Sequence, residues 1–373
     1  MAQANGRPLV LLAAGGTGGH LFPAEALSVA LERRGVRIHL ATDARAARYG
    51  STFPAQAIHV IASETVRGRN PVALAKTAAV LGFGIGQAYR LLGRLQPSAV
   101  VGFGGYPTIP PVFAATLRQI PTLIHDSNAV IGRANRLLSA RATAIATTFP
   151  GVLDGAPQLA AKATHTGNPV RPAVIAAAAT PYVAPEPAGS LRVLVVGGSQ
   201  GARVMADVVP DAIARLEPHL RQRLAIVQQA REEDRARVGA AYERLVMAAE
   251  IAPFFSDLPA RMAQTHLIVS RSGASTVAEL AAIGRPSILV PLPGALDQDQ
   301  LANANVLGNA RGAIVLTQDT FTPERLAQEM AALAGAPERL AAMAAAAKSV
   351  GVLDAADRLA DLVMTVAKVS RIR

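Results

Sequence analysis

The sequence predicts an α/β protein of two Rossmann-like, doubly wound domains, each a parallel sheet with helices on both faces. Short apolar runs alternate with helix-like segments along most of the 373 residues, a pattern typical of such sheets. A strand followed by a glycine-rich turn occurs twice, and a proline-rich stretch separates the two copies. The chain length suits two domains of ordinary size.

The first half begins with an apolar run, Leu9–Ala13, which predicts a strand. The glycine-rich turn Gly15–His20 follows, and a helical pattern starts near Phe22. Glycines let the backbone approach a ligand closely, and the helix that follows points unpaired N–H groups into the turn, where a phosphate can bind. Similar turns also occur in α/β proteins that bind no phosphate, so both interpretations stay open at this point.

Five further apolar runs predict the other strands of the first half. They are Val36–Ala41, Ile58–Ile61, Ala99–Val101, Thr122–His125 and Thr143–Ala146. Two more polar or glycine-rich turns, Gly102–Tyr106 and His125–Asn128, follow the ends of such strands. Ligands of parallel sheets bind at the carboxyl ends of the strands, so three turns on one edge predict a binding site there.

The opening motif returns after a predicted linker. Residues 180–190 carry three prolines, and then Leu191–Val196 and Gly197–Arg203 repeat the order of strand, two glycines, hydroxyl residue and further glycine. We therefore predict domains at 1–167 and 191–352, with 168–190 as the linker. The other strands predicted for the second half are Leu224–Gln228, Met247–Ala252, Leu267–Val269, Ser287–Val290 and Ala313–Leu316.

A sharper group of polar residues, Ser270–Glu279, lies in the second half. It follows a predicted strand and opens a helix at Gly273, whose N–H groups can hold a diphosphate. The carboxylate of Glu279 can accept hydrogen bonds from ribose hydroxyls. In the alternative interpretation Ser272 is a helix N-cap and Glu279 is a solvated helix residue.

Composition narrows the function classes. The chain has no cysteine, which excludes disulfides and thiolate metal sites. Residues 1–170 hold 16 Lys and Arg against 6 Asp and Glu, so they carry +10 of the net charge of +11. Such a basic half favours phosphates, anionic lipid or nucleic acid, although a scattered basic surface is the alternative. Aromatic residues are only 4% of the chain, which disfavours binding of single-stranded nucleic acid.

The apolar runs of the sequence bear on membrane insertion. No uncharged apolar run reaches the ~18 residues of a spanning helix, and we recognise no secretory signal, so we expect neither a span nor export. Residues Arg67–Arg94 hold apolar side chains framed by basic ones. Such a segment fits an anionic membrane surface, and it equally fits a core helix with solvated ends.

Other nucleotide-binding motifs fit less well. Neither glycine turn ends in the Gly-Lys-Ser/Thr of a Walker A loop. The dinucleotide fingerprint lacks its third glycine, because Leu21 stands there, although Asp43 is placed as its acidic residue. A Rossmann oxidoreductase is therefore weakened rather than eliminated. No HExxH motif or carboxylate-rich metal cluster is present in the sequence, so we expect no metal.

Six motifs occur together in a fixed order. They are GGTGGH (15–20), GFGGYP (102–107), HDSNAVIGRANR (125–136), GNPVR (167–171), GGSQGAR (197–203) and RSGASTVAEL (271–280). With them the chain resembles the MurG family of peptidoglycan N-acetylglucosaminyltransferases, in glycosyltransferase family 28, from Leu9 to about Val363. The resemblance implies a GT-B fold, with two domains facing a cleft and a C-terminal helix, within 353–373, that packs back toward the first domain.

The resemblance also implies a reaction. The family inverts the anomeric centre while moving GlcNAc from UDP-GlcNAc to the 4-hydroxyl of MurNAc in lipid I, which gives lipid II. It implies a peripheral protein on the cytoplasmic face of the bacterial inner membrane, with an anionic membrane surface and other cell-wall synthesis proteins as partners, no nucleic acid and no cofactor. Alternatives of the same fold are a UDP-GlcNAc 2-epimerase and an antibiotic glycosyltransferase.

Candidate site residues follow from the same comparison of motifs. His20 is the first candidate for the general base, and Asp126 is the second, as base or as partner to a ring. The residues predicted to bind substrate are Thr17, Gly18, Gly19, Tyr106, Asn128, Arg171, Ser199, Gln200, Gly201, Phe255, Ala274, Ser275, Thr276, Val277, Ala278, Glu279 and Gln300. The chain departs from the usual family residues at Asp126, at Gly294 and at Asp299, where Glu, His and His are common.

Overall fold

The computed structural model divides into two compact units. Unit 1 comprises residues 1–171 and 353–373, and unit 2 comprises residues 172–352. The residues that the structure describes are 7–16, 18–44, 53–64, 71–198, 201–294 and 299–369. Each unit is a parallel sheet flanked by helices, so the predicted α/β class is confirmed.

Unit 1 contains a seven-stranded sheet of order β3-β2-β1-β4-β5-β6-β7, and all its strand pairs are parallel. Its strands are β1 (Leu9–Ala13), β2 (Arg37–Thr42), β3 (Ala57–Val60), β4 (Ala99–Gly102), β5 (Thr122–Asp126), β6 (Ala144–Thr147) and β7 (Ala163–His165). Its first helices are α1 (Gly18–Arg33), α2 (Pro71–Leu95), α3 (Ile109–Leu117), α4 (Arg133–Ser139) and α5 (Pro157–Ala160), with a 3-10 turn at Tyr106–Thr108. Sequence analysis missed β7, because this edge strand has no run of buried apolar residues.

Strand β1 is an interior strand of this sheet, and all five of its side chains are buried. Successive side chains of a strand point to opposite faces. Accordingly, Val10 and Leu12 join an apolar cluster with α1, whereas Leu11 and Ala13 join a second cluster with residues of α2 and α3. Both faces of the sheet are therefore covered, and the turn after β1 emerges at the centre of the carboxyl edge.

Unit 2 contains a six-stranded parallel sheet of order β10-β9-β8-β11-β12-β13. Its strands are β8 (Leu191–Val196), β9 (Leu224–Gln229), β10 (Ala249–Ala252), β11 (Leu267–Ser270), β12 (Ser287–Leu289) and β13 (Ala313–Val315). Its helices are α6 (Pro172–Ala178), α7 (Arg203–Ala214), α8 (Pro218–Arg221), α9 (Glu232–Arg244), α10 (Leu258–Gln264), α11 (Ala274–Ile283), α12 (Asp299–Asn309), α13 (Pro323–Ala334) and α14 (Pro337–Ser349).

The predicted linker, residues 168–190, differs from the structure. Its α6 packs against α10 and α11, so this part of the segment belongs to unit 2. Burial of Val174, Ala177 and Ala178 explains the packing. The prolines after residue 180 mark the irregular stretch that leads into β8.

The last helix, α15 (Ala355–Val369), returns to unit 1 and packs on α1. Leu359 and Val363 are fully buried in the apolar cluster that the two helices share. At one end of this contact an Arg34 nitrogen lies 2.8 Å from Oδ1 of Asp357. Because this ion pair is partly exposed, the apolar contact contributes most of the attachment.

Shortening Leu359 to alanine tests this attachment. Leu359→Ala removes buried methyl groups and leaves a cavity, so we expect the free energy of unfolding to fall by ~2–5 kcal/mol. Urea denaturation followed by circular dichroism measures the change. Thr365→Ala, at an exposed position of the same helix, is the control and should stay within ~0.5 kcal/mol of the unaltered protein. Equal effects of the two substitutions would contradict the described packing.

Candidate active site

The first glycine turn is held by a carboxylate from the neighbouring strand connection. The backbone N–H of Gly16 donates to Oδ1 of Asp43 at 3.1 Å, and Asp43 is buried. A Cβ on Gly15 would lie 2.8 Å from the same oxygen, so the carboxylate packs directly against the turn. Asp43, which the dinucleotide interpretation placed as the acidic residue of its fingerprint, therefore braces the turn. Thr17 lies outside the described residues.

His20 lies in the first turn of α1. Its Nδ1 atom is buried and has no hydrogen-bond partner within the part of the chain that the structure describes. Burial lowers the pKa of His20 below its usual value of 6.5, and a hydrogen bond with the backbone of Phe103 opposes that shift. The imidazole is therefore neutral at pH 7 and can accept a proton.

A pair of glycines lies against the His20 ring. Gly104 and Gly105 have φ angles of +86° and +74°, in the left-handed region that favours glycine. A Cβ on Gly105 would lie 3.2 Å from Nε2 of His20, and one on Gly104 would lie 3.4 Å from Cε1. Larger residues would therefore crowd the ring as well as strain the backbone. Tyr106, a predicted substrate contact, follows this turn and packs partly against the core of unit 1.

A second histidine, His125, is fully buried near the end of β5. Its ring centroid lies 5.5 Å from that of Phe103, and its Nε2 lies 3.1 Å from the carbonyl oxygen of Gly167. A carbonyl only accepts, so Nε2 carries the proton. Burial lowers the pKa of His125 to about 4, and the charge of nearby His20 acts in the same direction. His125 is therefore a neutral group that supports the wall of the site.

Asp126 organises the loop that follows β5. Its Oδ1 accepts from the backbone N–H of Asn128 at 3.1 Å, and its Oδ2 accepts from that of Gly132 at 2.9 Å and from Nδ2 of Asn135 at 3.0 Å. Asn135 also donates to the carbonyl oxygen of His125 at 3.0 Å. These bonds fix the position of Asn128, a predicted substrate contact, relative to β5.

Arg171 belongs to unit 1 and lies over α1. Its guanidinium carbon is 4.2 Å from the centroid of the Phe22 ring, a cation–π contact. The Phe22 ring also packs against Gly18, where a Cβ would lie 3.0 Å from Cε2. Burial raises the pKa of Glu25, and the charge of Arg171 opposes that rise. Arg171 thus brings positive charge to the helix that begins at the first glycine turn.

The second glycine turn, in unit 2, is tightly closed. Gly198 and Gly201 have φ angles of +88° and +67°, and the N–H of Gly201 donates to the carbonyl of Gly198 at 3.0 Å. A Cβ on Gly197 would lie 2.6 Å from the carbonyl carbon of Gly201. The turn therefore needs glycine at its start. Ser199 and Gln200, two predicted substrate contacts, lie outside the described residues.

Helix α11 begins at the predicted diphosphate site. Its N-cap is Gly273, which has no side chain and so makes no side-chain capping hydrogen bond. Ser272 instead donates through Oγ to the carbonyl of Gln300 at 2.7 Å, and Glu279 is buried at 6% exposure. The alternative interpretation of a Ser272 cap and a solvated Glu279 is therefore wrong.

Gln300 lies in the first turn of α12. Its Oε1 accepts from the backbone N–H of Leu292 at 3.1 Å, and its own N–H donates to Oδ1 of Asp299 at 2.7 Å. The bond from Ser272 brings Gln300 beside the start of α11. Gly294 has a φ of +68°, and no atom of the described residues lies within 4 Å of where a Cβ would be.

Arg271 adds a buried cation just before α11. It donates through Nη1 to the carbonyls of Val290 and Pro291 at 3.1 and 3.0 Å, and through Nη2 to Oε1 of Gln318 at 2.5 Å. Burial lowers the pKa of Arg271 from its usual value of 12.5. The guanidinium therefore ties the loop after β12 to the turn before α11.

Two adjacent phenylalanines follow β10. Phe255, a predicted substrate contact, is 7% exposed, and the guanidinium carbon of Arg261 lies 4.6 Å from its ring centroid. Phe254 is 65% exposed at the carboxyl edge of the sheet. Sequence analysis missed Phe254, although an aromatic pair directly after a strand was a usable signal.

The structure brings the described candidates together in two groups, one in each unit. In unit 1, His20, Asp126 and Asn128 follow or end strands at the carboxyl edge. In unit 2, residues 274–279 adjoin Gln300. Sequence analysis missed the buried amides of Asn135 and Gln229, which the site's loops bind; for Gln229, two glutamines at the end of an apolar strand were the available signal.

Family models match most of the chain. Residues 10–147 match the glycosyltransferase family 28 N-terminal domain, and residues 192–359 match the glycosyltransferase family 28 C-terminal domain. The two matches coincide with the two sheets. They contradict the oxidoreductase interpretation.

Similar proteins cover nearly the whole chain. It is 68% identical over 360 residues to the UDP-N-acetylglucosamine--N-acetylmuramyl-(pentapeptide) pyrophosphoryl-undecaprenol N-acetylglucosamine transferase of Rhodopseudomonas palustris strain BisA53, with 96% of each chain covered. It is 65% identical over 361 residues to the protein of the same name from Nitrobacter winogradskyi, with 97% of this chain and 98% of the relative covered.

Solved structures agree with this assignment. The crystal structure of Acinetobacter baumannii MurG is 30% identical, with a TM-score of 0.77 over 96% of this chain and 99% of the other. UDP-GlcNAc 2-epimerase from Neisseria meningitidis has a TM-score of 0.67 over 96% of this chain and all of the other, but at 14% identity it shows only a shared fold. The chain belongs to the MurG group of glycosyltransferase family 28, and its fold is GT-B.

Proposed function

We propose that the chain transfers N-acetylglucosamine from UDP-GlcNAc to the 4-hydroxyl of the N-acetylmuramoyl residue of lipid I, which gives lipid II for peptidoglycan synthesis. One observation carries this proposal: the 68% identity, over 96% of both chains, to a protein named for that transfer. The epimerase and antibiotic-transferase neighbours are at most 17% identical and share the fold alone.

In the proposed reaction the acceptor hydroxyl displaces the nucleotide directly. The oxygen at position 4 of the acceptor forms a bond to C1 of GlcNAc, while the bond from C1 to the β-phosphate oxygen breaks. Inversion at C1 converts the α-linked donor into a β-1,4 product. The hydroxyl must lose a proton, and UDP must leave with the bonding electron pair. These two requirements define the roles of the site residues.

His20 is the proposed general base. Its pKa is lowered by burial, so the ring is unprotonated at pH 7, and its Nδ1 has no partner among the described residues. Asp126, the second candidate, accepts hydrogen bonds from Asn128, Gly132 and Asn135. These bonds favour Asp126 as the residue that orders the loop, with His20 as the group that takes the proton.

The start of α11 is proposed to bind the diphosphate of the donor. Its N-cap residue, Gly273, makes no side-chain capping hydrogen bond, and the helix dipole favours negative charge there. Arg271 is buried two residues before the N-cap Gly273, and it adds positive charge near the start of the helix. Fixed dipoles and cations of this kind stabilise the charge that develops on a leaving phosphate. The second glycine turn and Arg171 are proposed as further phosphate contacts.

The remaining donor contacts are proposed from burial and position. Glu279 is a buried carboxylate in the second turn of α11 and would accept hydrogen bonds from the ribose hydroxyls. The backbone at Phe255 would bind uracil, and exposed Phe254 beside it offers a ring for stacking. Gln300, close to the start of α11, would bind hydroxyls of GlcNAc.

Helix α2 is the proposed contact with an anionic membrane. Lys76, Phe83 and Arg90 are spaced seven residues apart, so they share one face of the helix, and all three are exposed. Phe83 is 63% exposed, whereas Ile85 packs against the core. Among the helices that the structure describes, none is long and apolar enough to cross a bilayer.

A second exposed group lies at the end of α3 and on α2. Tyr89 is 41% exposed, and the guanidinium carbon of Arg118 lies 3.8 Å from its ring centroid. Leu117, next to Arg118, is 56% exposed. Apolar side chains with adjacent cations fit the interface of anionic lipids, and we propose a peripheral location at the cytoplasmic face of the inner membrane. Arg67 and Arg69, which the sequence interpretation included, lie outside the described residues.

Replacing His20 tests the proposed base. His20→Ala should lower kcat by ~10²–10⁴-fold while the KM for UDP-GlcNAc stays nearly unchanged. With the unaltered protein, kcat should rise with pH through the lowered pKa of His20, so the acid limb should lie below pH 6.5. Transfer of radiolabelled GlcNAc to a lipid I analogue measures both. His219→Ala, at an exposed position in unit 2, is the control and should leave kcat unchanged. If His20→Ala lost turnover and donor affinity equally, His20 would not be the base.

Replacing Glu279 tests the proposed ribose contact. Glu279→Gln keeps the shape of the side chain but weakens a charge-assisted hydrogen bond, so we expect the KM for UDP-GlcNAc to rise ~10-fold with a small change in kcat. The effect should shrink when the donor is the 2′-deoxyribose analogue, which lacks one of the hydroxyls. An unchanged donor KM, or an equal effect on both donors, would show that Glu279 does not bind ribose.

Replacing Phe83 tests the membrane contact. Phe83→Ser removes an exposed aromatic ring, so the affinity for vesicles rich in anionic phospholipid should fall about tenfold without a change in the free energy of unfolding. Vesicle co-sedimentation measures the affinity. Val246→Ser is the matched control, because Val246 is 94% exposed in unit 2. If both variants bound vesicles equally well, the contact would lie elsewhere.

A further inference from the structure

Gln229 ends β9, between two loops of the proposed donor site. The sheet order β10-β9-β8 places its strand beside those that lead into both loops. The glycine turn 197–201 follows β8, and the segment Pro253–Phe255 follows β10. A side chain at the end of β9 is therefore the shortest bridge from the turn proposed for phosphate to the segment proposed for the base.

The Gln229 amide forms that bridge with three hydrogen bonds. Its Oε1 accepts from the backbone N–H of Gly197 at 2.9 Å, and its Nε2 donates to the carbonyls of Gly198 at 3.1 Å and Pro253 at 3.0 Å. The side chain is 6% exposed. Exchanging the amide oxygen and nitrogen would place the NH₂ against an N–H and the oxygen against two carbonyls, so only one orientation fits. Both N–H donors of the amide are used.

We infer that Gln229 is a positioning residue for the donor nucleotide. It holds Gly197 and Gly198, at the start of the glycine turn, at a fixed separation from Pro253, so that a nucleoside diphosphate meets the two loops at a set spacing. Ordering a loop during binding costs affinity, and a buried amide that already holds both loops removes that cost. The inference rests on the proposed function only for the identity of the ligand, a uridine diphosphate.

The adjacent residue provides a matched comparison. Gln228 is fully buried, and it donates through Nε2 to the carbonyl of Met205 at 3.2 Å and accepts from the hydroxyl of Tyr242 at 2.5 Å. These partners lie on α7 and α9, and neither belongs to the glycine turn 197–201 or to the Pro253–Phe255 segment. Successive side chains of a strand point to opposite faces, so the two glutamines differ in what they hold and not in burial.

Gln229→Met and Gln228→Met separate positioning from general stability. Each replaces a buried, hydrogen-bonded amide by an apolar side chain of similar length, so both should lower the melting temperature without ligand. Only Gln229→Met should weaken the binding of UDP, by about tenfold, which corresponds to about 1.4 kcal/mol. In the transfer assay it should raise the KM for UDP-GlcNAc and leave the KM for the lipid I analogue unchanged. Calorimetric titration with UDP alone gives the affinity.

A second variant keeps the test decisive if Gln229→Met folds poorly. Gln229→Glu retains the acceptor for the N–H of Gly197 but lacks both donors and adds negative charge near the diphosphate. It should therefore weaken UDP binding by more than tenfold. Equal loss of UDP affinity in the Gln228 and Gln229 variants, or unchanged affinity in both Gln229 variants, would overturn the inference. If the unaltered protein binds UDP but transfers no GlcNAc, the proposed function fails while the UDP-binding test of Gln229 remains valid.

Discussion

Each glycine turn of this protein is held by a buried hydrogen-bond acceptor at or just after the end of the neighbouring strand. The position of the turn at the carboxyl edge of each sheet depends on that contact. Gly16 donates to Asp43 at 3.1 Å in unit 1, and Gly197 donates to Gln229 at 2.9 Å in unit 2. Strand β2 lies beside β1 as β9 lies beside β8, so the two braces occupy equivalent places. A glycine turn has much conformational freedom to lose and N–H groups to satisfy, and one buried acceptor meets both needs.

The neutral state of His20 follows from how the turn after β4 is built. Glycines at 104 and 105 allow the backbone to lie flat against the imidazole, and this close packing excludes water from Nδ1. Burial then lowers the pKa of His20, and buried His125 nearby supplies no negative charge to reverse the shift. The His20 imidazole is thus kept unprotonated at neutral pH by packing and not by a partner group.

The sequence was sufficient for most of the fold but for only part of the site. Buried parallel strands read as continuous apolar runs, so twelve strands were predicted and only the edge strand at Ala163–His165 was missed. Glycine turns and helix starts were equally visible. The hydrogen bonds of Asp126, Asn135 and Gln229 could not be predicted from the sequence. They join residues on different loops, so they depend on which strands are neighbours. Burial of Glu279 likewise depends on packing that one helix cannot reveal.

The two braces differ in charge, since Asp43 has a carboxylate and Gln229 a neutral amide, and this difference fits the separate roles proposed for the two units. A carboxylate behind a turn opposes the binding of an anion there, whereas a neutral amide does not. Gln229 is neutral and uses its NH₂ group to hold two carbonyls, so it places no negative charge behind the start of the second turn. Asp43 leaves the first turn less favourable for a diphosphate unless cations compensate. Arg171, stacked on Phe22 next to Gly18, supplies such a cation in unit 1. The side chain behind each glycine turn therefore sets how favourable the turn is for an anion. The neutral side chain in unit 2 supports the proposal that the nucleotide binds there.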